Sequence, residues 1–346
     1  MMTMSMSAAG GEGTNKAKFT PPDTPYNGAF TRSFPVEVPP FFEITPALSI
    51  DYNSGDLKPR AEDGFSPLGV GWRLSGGSAI RRTSKHGGTP GFGSEDAFEF
   101  DNNRLIPCLE VGSTPSCLAG GTHSTRFETF ERVVRVNSGG QNHWTVTSRE
   151  GIVSTYRAVG YWNPTSSQDA RLKDDYRWLL ASVADTDGNT ITYNYDCTAL
   201  PNCYVSSIAF GTSVVALHWE ARPDTFNYAT GISLAPAVDK RLRTVAISNG
   251  GALVRAYKLT YSLSPDTKRS LLASIQQFGS DATIVAGAVT GGTSYPADSF
   301  TYWDMSSRRM GTMISDLPTP NANPEMTPNP SAVELQSKLA TNPSTN

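Results

Sequence analysis

The stretch that decides the fold is GAFTRSFPVEVPPFFEITPALSIDYNSG, residues 28–55, followed by FSPLGVGWRLSG, residues 65–76. Apolar and polar side chains alternate in two runs of it, the period of two typical of half-buried strands. The first run carries Phe34, Val36 and Val38, and the second carries Leu48, Ile50 and Tyr52. The sequence therefore predicts two neighbouring strands, each with one buried face.

Prolines and a glycine set the limits of these strands. Pro39 and Pro46 have no backbone donor, so they suit strand ends and sheet edges rather than helix interiors. The Asn-Ser-Gly sequence at 53–55, ending in Gly55, has the composition of a turn that closes the second strand.

A tight glycine turn precedes the first tryptophan. Gly69 and Gly71 bracket one residue directly before Trp72, and Leu74 stands where a dinucleotide-binding fingerprint would need its third glycine. We therefore expect a structural turn that lets the Trp72 ring pack into the core.

Composition favours strands and excludes several classes of function. The 346 residues include 31 Gly and 24 Pro, and 10% are aromatic, so turns and strands should outweigh helices. Basic and acidic residues are balanced at 29 and 32, which gives no bulk attraction for nucleic acid. No apolar run approaches the roughly 18–20 residues of a membrane helix. The predicted fold class is all-β, built of antiparallel strands and hairpins.

A hairpin signal lies in the middle of the chain. The turn residues Asp187, Gly188 and Asn189 precede a strand with Tyr193 and Tyr195 on one face. Asp-Gly followed by alternating apolar residues is among the strongest short-range hairpin signals. The spacing of the carboxylates also suits a calcium loop, but the glycine and distal glutamate of that loop are missing, so a surface turn is favoured.

Several motifs in a fixed order resemble the SpvB/TcaC amino-terminal domain. That domain opens the B components of insecticidal toxin complexes and many large Rhs/YD-repeat proteins. The 185–196 hairpin looks like one YD-type repeat unit. The resemblance covers roughly residues 28–300. It rests on PVEVPPFFEITPALSIDYNSG (35–55), PLGVGWRLSGGSAIRR (67–82), EDAFEFDNNRLIPC (95–108), RWLLASVADTDGNTITYNYD (177–196), LVRAYKLTYS (253–262) and RSLLASIQQFG (269–279).

The resemblance implies a domain organisation and a role. We expect a flexible leader at 1–25, an SpvB-like β-rich domain at 26–305, and a disordered tail at 306–346 whose Pro, Asn and Thr content leaves too few apolar residues to fold. The domain would form the first strips of an Rhs/YD-type β-shell, which encapsulates a toxin for delivery. Because the resemblance ends near the tail, we expect a truncated member of the group.

The four cysteines form two close pairs, Cys108 with Cys117 and Cys197 with Cys203. Each pair brackets a loop that contains proline, so two local disulfides are predicted, although four cysteines allow three connectivities. Free thiols are the alternative for a chain that stays in a reducing compartment. A zinc site is a third option, and neither pair has the ligand spacing of structural zinc sites.

A search for catalytic groups finds no ordered constellation. None of the four histidines lies in a nucleophile elbow or a zincin motif, and His123 is the one candidate because it lies in a polar Gly-Ser-Thr loop. The transferase activity of the name-giving family member belongs to its carboxyl-terminal region and is not carried over here. Two carboxylate pairs remain that could meet in space, Glu95 with Asp96 and Glu128 with Glu131.

The resemblance, together with the missing catalytic constellation, therefore implies a non-catalytic structural module of a secreted, virulence-related protein. Its expected partner is a downstream Rhs/YD-repeat or toxin-complex polypeptide, with no nucleic acid, membrane span, small-molecule substrate, cofactor or metal. One alternative is a cell-surface or carbohydrate-binding β-domain that would use Trp72, Trp162 and Trp178. A hydrolase with a site around His123 is the other alternative.

Overall fold

The structure is a computed structural model and describes residues 2–5, 28–55, 68–111, 113–138 and 141–302. The predictions for the tail at 306–346, and for the leader beyond residue 5, fall outside these residues. Within them nearly every regular element is a strand. The predicted all-β class is confirmed.

The strands are, in chain order, β1 (Met2–Ser5), β2 (Thr31–Val36), β3 (Leu48–Asn53), β4 (Trp72–Ser75), β5 (Ala79–Thr83), β6 (Ala97–Phe100), β7 (Asn103–Pro107), β8 (His123–Thr125), β9 (Arg132–Ser138), β10 (Gln141–Thr147), β11 (Val153–Ala158), β12 (Arg177–Ala184), β13 (Thr190–Asp196), β14 (Tyr204–Phe210), β15 (Ser213–Phe226), β16 (Val238–Asn249), β17 (Ala252–Leu263), β18 (Ser270–Phe278), β19 (Thr283–Val285), β20 (Ala288–Gly291) and β21 (Asp298–Tyr302).

Helices in the described residues are short. They are α1 (Cys108–Val111), α2 (Pro115–Leu118) and α3 (Ala170–Asp174), with 3-10 turns at Phe42–Ile44 and Val159–Trp162. Among these residues no helix has the length and apolar character needed to cross a membrane.

The deciding stretch forms a small antiparallel sheet in the order β2-β3-β4. Strand β3 alternates as its pattern predicts, with Leu48, Ile50 and Tyr52 buried and the residues between them partly exposed. Pro35 lies in β2, which is an edge strand. Its lack of a backbone N–H therefore removes no hydrogen bond between the strands of this sheet.

Strands β5–β12 close into a ring. Each strand pairs with the next, and Arg177–Leu179 at the start of β12 pair with Ala79–Arg81 of β5. Aromatic side chains from several strands fill the interior, so that Trp144 and Trp178 have no exposed surface. Closure removes the edge strands that this part of the chain would otherwise expose.

The second half of β12 starts an open antiparallel sheet. Ser182–Ala184 pair with β13, and the order continues β13-β14-β15-β16-β17-β18-β21-β1. The β19–β20 hairpin adds a small apolar cluster in which Val289 packs with Ala256 and Phe278. The ring, the open sheet and the small sheet share one hydrophobic core, which runs from Val36 to Phe300.

Candidate functional site

Trp72 lies at the junction of the small sheet and the open sheet. Its ring is 3% exposed and lies 4.7 Å from the ring of Phe300 on β21 and 5.1 Å from that of Tyr52 on β3. The indole Nε1 donates to the Tyr302 hydroxyl at 2.7 Å, and that hydroxyl donates to the Leu272 carbonyl at 2.7 Å. This chain of hydrogen bonds satisfies the polar atoms of the buried Trp72 and the partly buried Tyr302.

The glycines before Trp72 are required by close backbone approaches. Gly69 has φ +101° and a Cβ there would lie 2.8 Å from the Ser270 carbonyl oxygen. Gly71 has φ +77° and a Cβ would lie 2.7 Å from the Tyr52 ring. The amide of Val70, between them, donates to the Ser270 carbonyl at 3.0 Å. The turn therefore fixes the small sheet against β18.

A buried ion pair supports the other side of this junction. The Arg222 and Asp224 side chains, 6% and 4% exposed, lie 2.8 Å apart, and the Ser270 amide also donates to Asp224 at 2.8 Å. Burial alone would raise the pKa of Asp224, but hydrogen bonds from Arg222 and Ser270 outweigh it and lower the pKa to about 2. The Asp224 carboxylate thus binds both the Arg222 guanidinium and the amide at the start of β18.

The Asp-Gly turn is organised by a carboxylate just before it. Asp185 accepts hydrogen bonds from the amides of Asp187 and Asn189 at 3.0 and 2.9 Å, and from the Asn189 side chain at 2.7 Å. Gly188 has φ +87°, as the turn requires. The side chains of this motif bind one another, as expected of a surface turn.

The tyrosine strip after the turn faces the core. Tyr193 and Tyr195 are 4% and 7% exposed, and the Tyr195 hydroxyl donates to the Leu180 carbonyl at 3.0 Å. Burial raises the pKa of Tyr193 to about 12. Trp162 stacks edge-on against Tyr195 with ring centroids 4.7 Å apart. The strip joins the ring to the open sheet.

His123 lies among the aromatic side chains of the closed ring. Its imidazole is 4.9 Å from the Trp144 ring and 6.1 Å from that of Phe98, and its Nδ1 is 2.9 Å from the Thr122 hydroxyl. Burial, followed by the nearby Arg135 guanidinium, lowers the pKa of His123 to about 4. At neutral pH the imidazole is therefore uncharged, and within the part of the chain that the structure describes its side-chain hydrogen-bond partner is the Thr122 hydroxyl.

Arg135 occupies the aromatic interior of the closed ring. Its guanidinium lies 4.5, 5.5 and 5.6 Å from the rings of Phe98, Trp144 and Trp178. It also donates to Asp175 at 2.8 Å. The site is therefore filled by the protein's own cation, an arrangement that stabilises the interior.

The two predicted carboxylate pairs do not form shared sites. Asp96 pairs with Arg82 at 2.7 Å, whereas the neighbouring Glu95 is 80% exposed and faces Lys85. Glu128 accepts from Ser116 and Ser124, while Glu131 accepts from the Thr129 hydroxyl at 2.8 Å. These contacts position loops, and each of the four carboxylates has its own partner.

Both cysteine pairs are disulfides in the structure. Cys108 and Cys117 join α1 to α2, and Cys197 and Cys203 close the loop between β13 and β14. The Cys197–Cys203 pair is buried, with 3% and 2% exposure. Among the described residues, no group of three or more His, Cys, Asp or Glu side chains could hold a metal ion.

The geometry therefore defines a class of protein, an all-β module whose buried polar groups hold strands and loops in place. The SpvB family profile, described as Salmonella virulence plasmid 65kDa B protein, matches residues 24–209, which is 186 of 346 residues. The chain belongs to the SpvB family. The matched segment runs from before β2 into β14 and includes the whole closed ring.

Curated relatives match part of the chain. The mono(ADP-ribosyl)transferase SpvB of Salmonella typhimurium (strain 14028s / SGSC 2262) and that of Salmonella dublin are each 28% identical over 170 residues, which is 44% of this chain. The match covers 27% of each relative, so the chain spans about a quarter of their length.

Solved structures show the same fold. The N-terminal domain of effector protein SpvB from Salmonella typhimurium strain LT2 superposes with a TM-score of 0.54 at 18% identity, covering 71% of this chain and 98% of that one. A chain of the Photorhabdus luminescens Tc holotoxin pore gives a TM-score of 0.57 at 18% identity, with 80% of this chain and 16% of that chain covered. The crystal structure of TcdB2-TccC3-TEV superposes with a TM-score of 0.57 at 18% identity, and the match covers 84% of this chain and 16% of that chain.

Sequence reasoning missed the residues whose partners are distant in the chain. Arg135 is the main example, since it is an ordinary charged residue of a strand in the sequence and its partner Asp175 lies 40 residues away. The sequence suggested Glu128 only as a possible partner of Glu131 and did not indicate its hydrogen bonds with Ser116 and Ser124. The alternation of β9 places Arg135 on the same face as the buried Val133, which is a weak signal that the charge points inward.

Proposed function

We propose that the chain is a non-catalytic structural module of a secreted, toxin-associated protein of the Rhs/Tc type. In this proposal its sheets form part of an encapsulating β-shell, and its partner is a downstream Rhs/YD-repeat or toxin-complex polypeptide. The observation that carries the proposal is the continuous strand-by-strand sheet from β5 to β21, in a fold similar to both the SpvB N-terminal domain and a Tc toxin chain.

Two further features support the proposal. One supports a non-catalytic role, and the other supports a location outside the cell. The charged groups of the interior, such as Arg135 and Asp224, are committed to structural partners. Two disulfides are stable mainly in oxidising compartments, which supports secretion. That the chain is one fragment of a larger shell stays a prediction.

The mass and partners of the native product test this proposal. An immunoblot and intact mass spectrometry, with and without reductant, would be followed by affinity purification from the native cells. We expect a species far above 37.2 kDa, or stable association with a large Rhs-type polypeptide. A lone, monomeric 37.2 kDa product without such a partner would overturn the shell assignment.

A carbohydrate-binding role is the second candidate, and one observation favours it. Tyr161 is 61% exposed, stacks edge-on with Trp162 at 5.2 Å and has the Arg157 guanidinium 5.4 Å from its ring centre. Trp72 and Trp178, by contrast, are buried and cannot stack on a sugar. Saturable binding on a glycan panel that is lost in Tyr161→Ala would support this role, and no binding at all would discard it.

A further inference from the structure

The closed ring has a weak seam between β8 and β9. Strand β8 is three residues long and pairs with β9 at one position, His123 with Val133. On its other side β9 pairs with β10 along the whole of Arg132–Ser138. Because strands are held together by ladder hydrogen bonds, local opening of the ring should begin at this seam.

Residues just before β8 close the seam. The Thr122 amide donates to the Val133 carbonyl at 2.8 Å, and the Arg135 amide donates to the Thr122 hydroxyl at 2.8 Å. Gly121 packs so tightly that a Cβ would lie 2.7 Å from the Ser116 carbonyl and 3.1 Å from that of Val133. The seam therefore depends on the segment that leads into β8.

That segment belongs to a disulfide-bonded lobe, which comprises residues 108–111 and 113–122. Its helices α1 and α2 have four residues each, which is too short for a helix to be stable by itself. The Cys108–Cys117 bond ties α2 to the end of β7. The α2 residue Ser116 is 1% exposed and donates to Glu128 in the connection between β8 and β9.

The Glu128 carboxylate, in the connection between β8 and β9, binds both α2 and β8. It accepts from Ser116, from Ser124 at 3.0 Å and from the Phe130 amide at 2.7 Å. Phe130 itself has φ +63°, a conformation that is strained for a bulky residue and that the surrounding contacts maintain. The lobe, the seam and this connection thus form one interlocked unit.

The two disulfides differ in access to solvent. Cys108 and Cys117 are partly exposed, whereas Cys197 and Cys203 are 3% and 2% exposed. Thiol–disulfide exchange requires that a thiolate reach a sulfur atom. A soluble dithiol should therefore reduce the Cys108–Cys117 bond well before the other one.

We propose that the Cys108–Cys117 disulfide is a redox-operated latch on the β8–β9 seam. A thiolate of an external dithiol attacks one cysteine sulfur and forms a mixed disulfide, which the second thiol of the reagent resolves. Two electrons and two protons pass to the protein, leaving two cysteine thiols and an oxidised, cyclic reagent. The lobe then loses its cross-link, so the contacts through Ser116 and Thr122 weaken and β8 separates from β9.

Hydrogen–deuterium exchange of the full chain tests the latch. The oxidised protein is compared with protein treated with dithiothreitol until its intact mass has increased by two hydrogens and peptide mapping locates the thiols at Cys108 and Cys117. We expect amide exchange at 118–125 to become at least about tenfold faster, while that of β15–β17 is unchanged, because exchange reports local opening.

Matched variants separate the latch from general reduction. Cys108→Ser with Cys117→Ser should reproduce the fast exchange without reductant, and Cys197→Ser with Cys203→Ser should leave exchange at 118–125 slow. If the first double variant does not fold, the selectively reduced natural chain still carries the test. Unchanged protection at 118–125 in that reduced chain, or reduction of the Cys197–Cys203 bond first, would overturn the proposal. The shell assignment does not depend on either result.

Discussion

At the scale of single residues, two buried side chains with specific polar partners hold distant strands together. Trp72 is the main case, because its indole N–H reaches a hydroxyl 230 residues later in the chain. Asp224 is another, since its charge is stabilised by Arg222 on the same strand and by Ser270 on a distant one. The cost of a substitution should therefore depend on the partner it leaves behind.

Replacing Trp72 should be among the most damaging single changes. Trp72→Ala removes a fully packed ring from the junction, so we expect a loss of about 3–5 kcal/mol in the free energy of unfolding. Tyr302→Phe removes the acceptor of the indole N–H and should cost about 1–3 kcal/mol. Urea denaturation measures both.

The control for this comparison is Tyr295→Ala, which truncates a ring that is 68% exposed. It should change stability by less than about 1 kcal/mol, the ordinary scale for surface positions. A loss of similar size for Trp72→Ala would show that the junction contributes little.

His123 should make stability depend on pH in mildly acidic solution. Its pKa is about 4 in the folded state against an ordinary value of 6.5, so the unfolded chain binds the proton more tightly. The free energy of unfolding should therefore fall as pH drops from about 6.5 to 4, by roughly 2–3 kcal/mol at the lower end. Denaturation midpoints at several pH values measure this fall.

Two variants identify the titrating group. His123→Gln should flatten the pH dependence in this window, whereas His86→Gln, at an exposed position, should preserve it. An equally steep fall in His123→Gln would assign the effect to another group.

At the scale of elements, turns with positive φ fix how strands meet, and the sequence signals them well. Residue composition predicts both the glycine turn before β4 and the Asp-Gly turn before β13. In the structure the glycines of both turns have positive φ. Their consequences differ, because Gly71 contacts the Tyr52 ring whereas Gly188 has open space around it. Local sequence predicts the turn, and packing determines how much its glycine contributes to the free energy of unfolding.

Alanine substitutions should separate these two effects. Gly71→Ala adds a clash to the strained φ and should cost more than about 2 kcal/mol, whereas Gly188→Ala should cost about 1 kcal/mol through backbone conformation alone. Gly93→Ala is the control, since a Cβ there meets nothing within 4 Å and φ is not in the left-handed region. Thermal unfolding ranks the three, and equal losses at Gly71 and Gly188 would argue against the close packing.

At the scale of the whole molecule, the ring and the open sheet are joined through β12. Its first half closes the ring and its second half pairs with β13, so the same strand belongs to both. The hydrophobic core is also continuous between them, from Trp144 in the ring to Phe300 on β21. Among the described residues, the ring and the open sheet therefore share most of their buried apolar side chains.

Unfolding should consequently be one cooperative transition. Tryptophan fluorescence, which reports strongly on the ring through Trp144 and Trp178, should follow the same urea dependence as far-ultraviolet circular dichroism, which reports on all strands. Trp178→Ala should shift both curves together. Separate midpoints for the two signals would show that the ring and the open sheet unfold independently.

The sequence by itself determined the class of the fold, the strands of the deciding stretch and the tight turns, and it favoured the pairing of neighbouring cysteines. These features depend on side-chain alternation, on glycine and proline conformation and on short separations along the chain, all of which a single sequence displays. Family resemblance likewise depends on local motifs such as the one that ends at Gly55.

Tertiary structure alone decided the rest. Closure of the ring through β5 and β12, the contact of Trp72 with Tyr302 and the position of Arg135 among aromatic rings all join residues far apart in sequence. An alternating pattern predicts which face of a strand is buried, but it does not predict which other strand or sheet packs against that face. Those pairings depend on the packing of the whole chain, and they determine whether a charge such as that of Arg135 lies in solvent or among buried side chains.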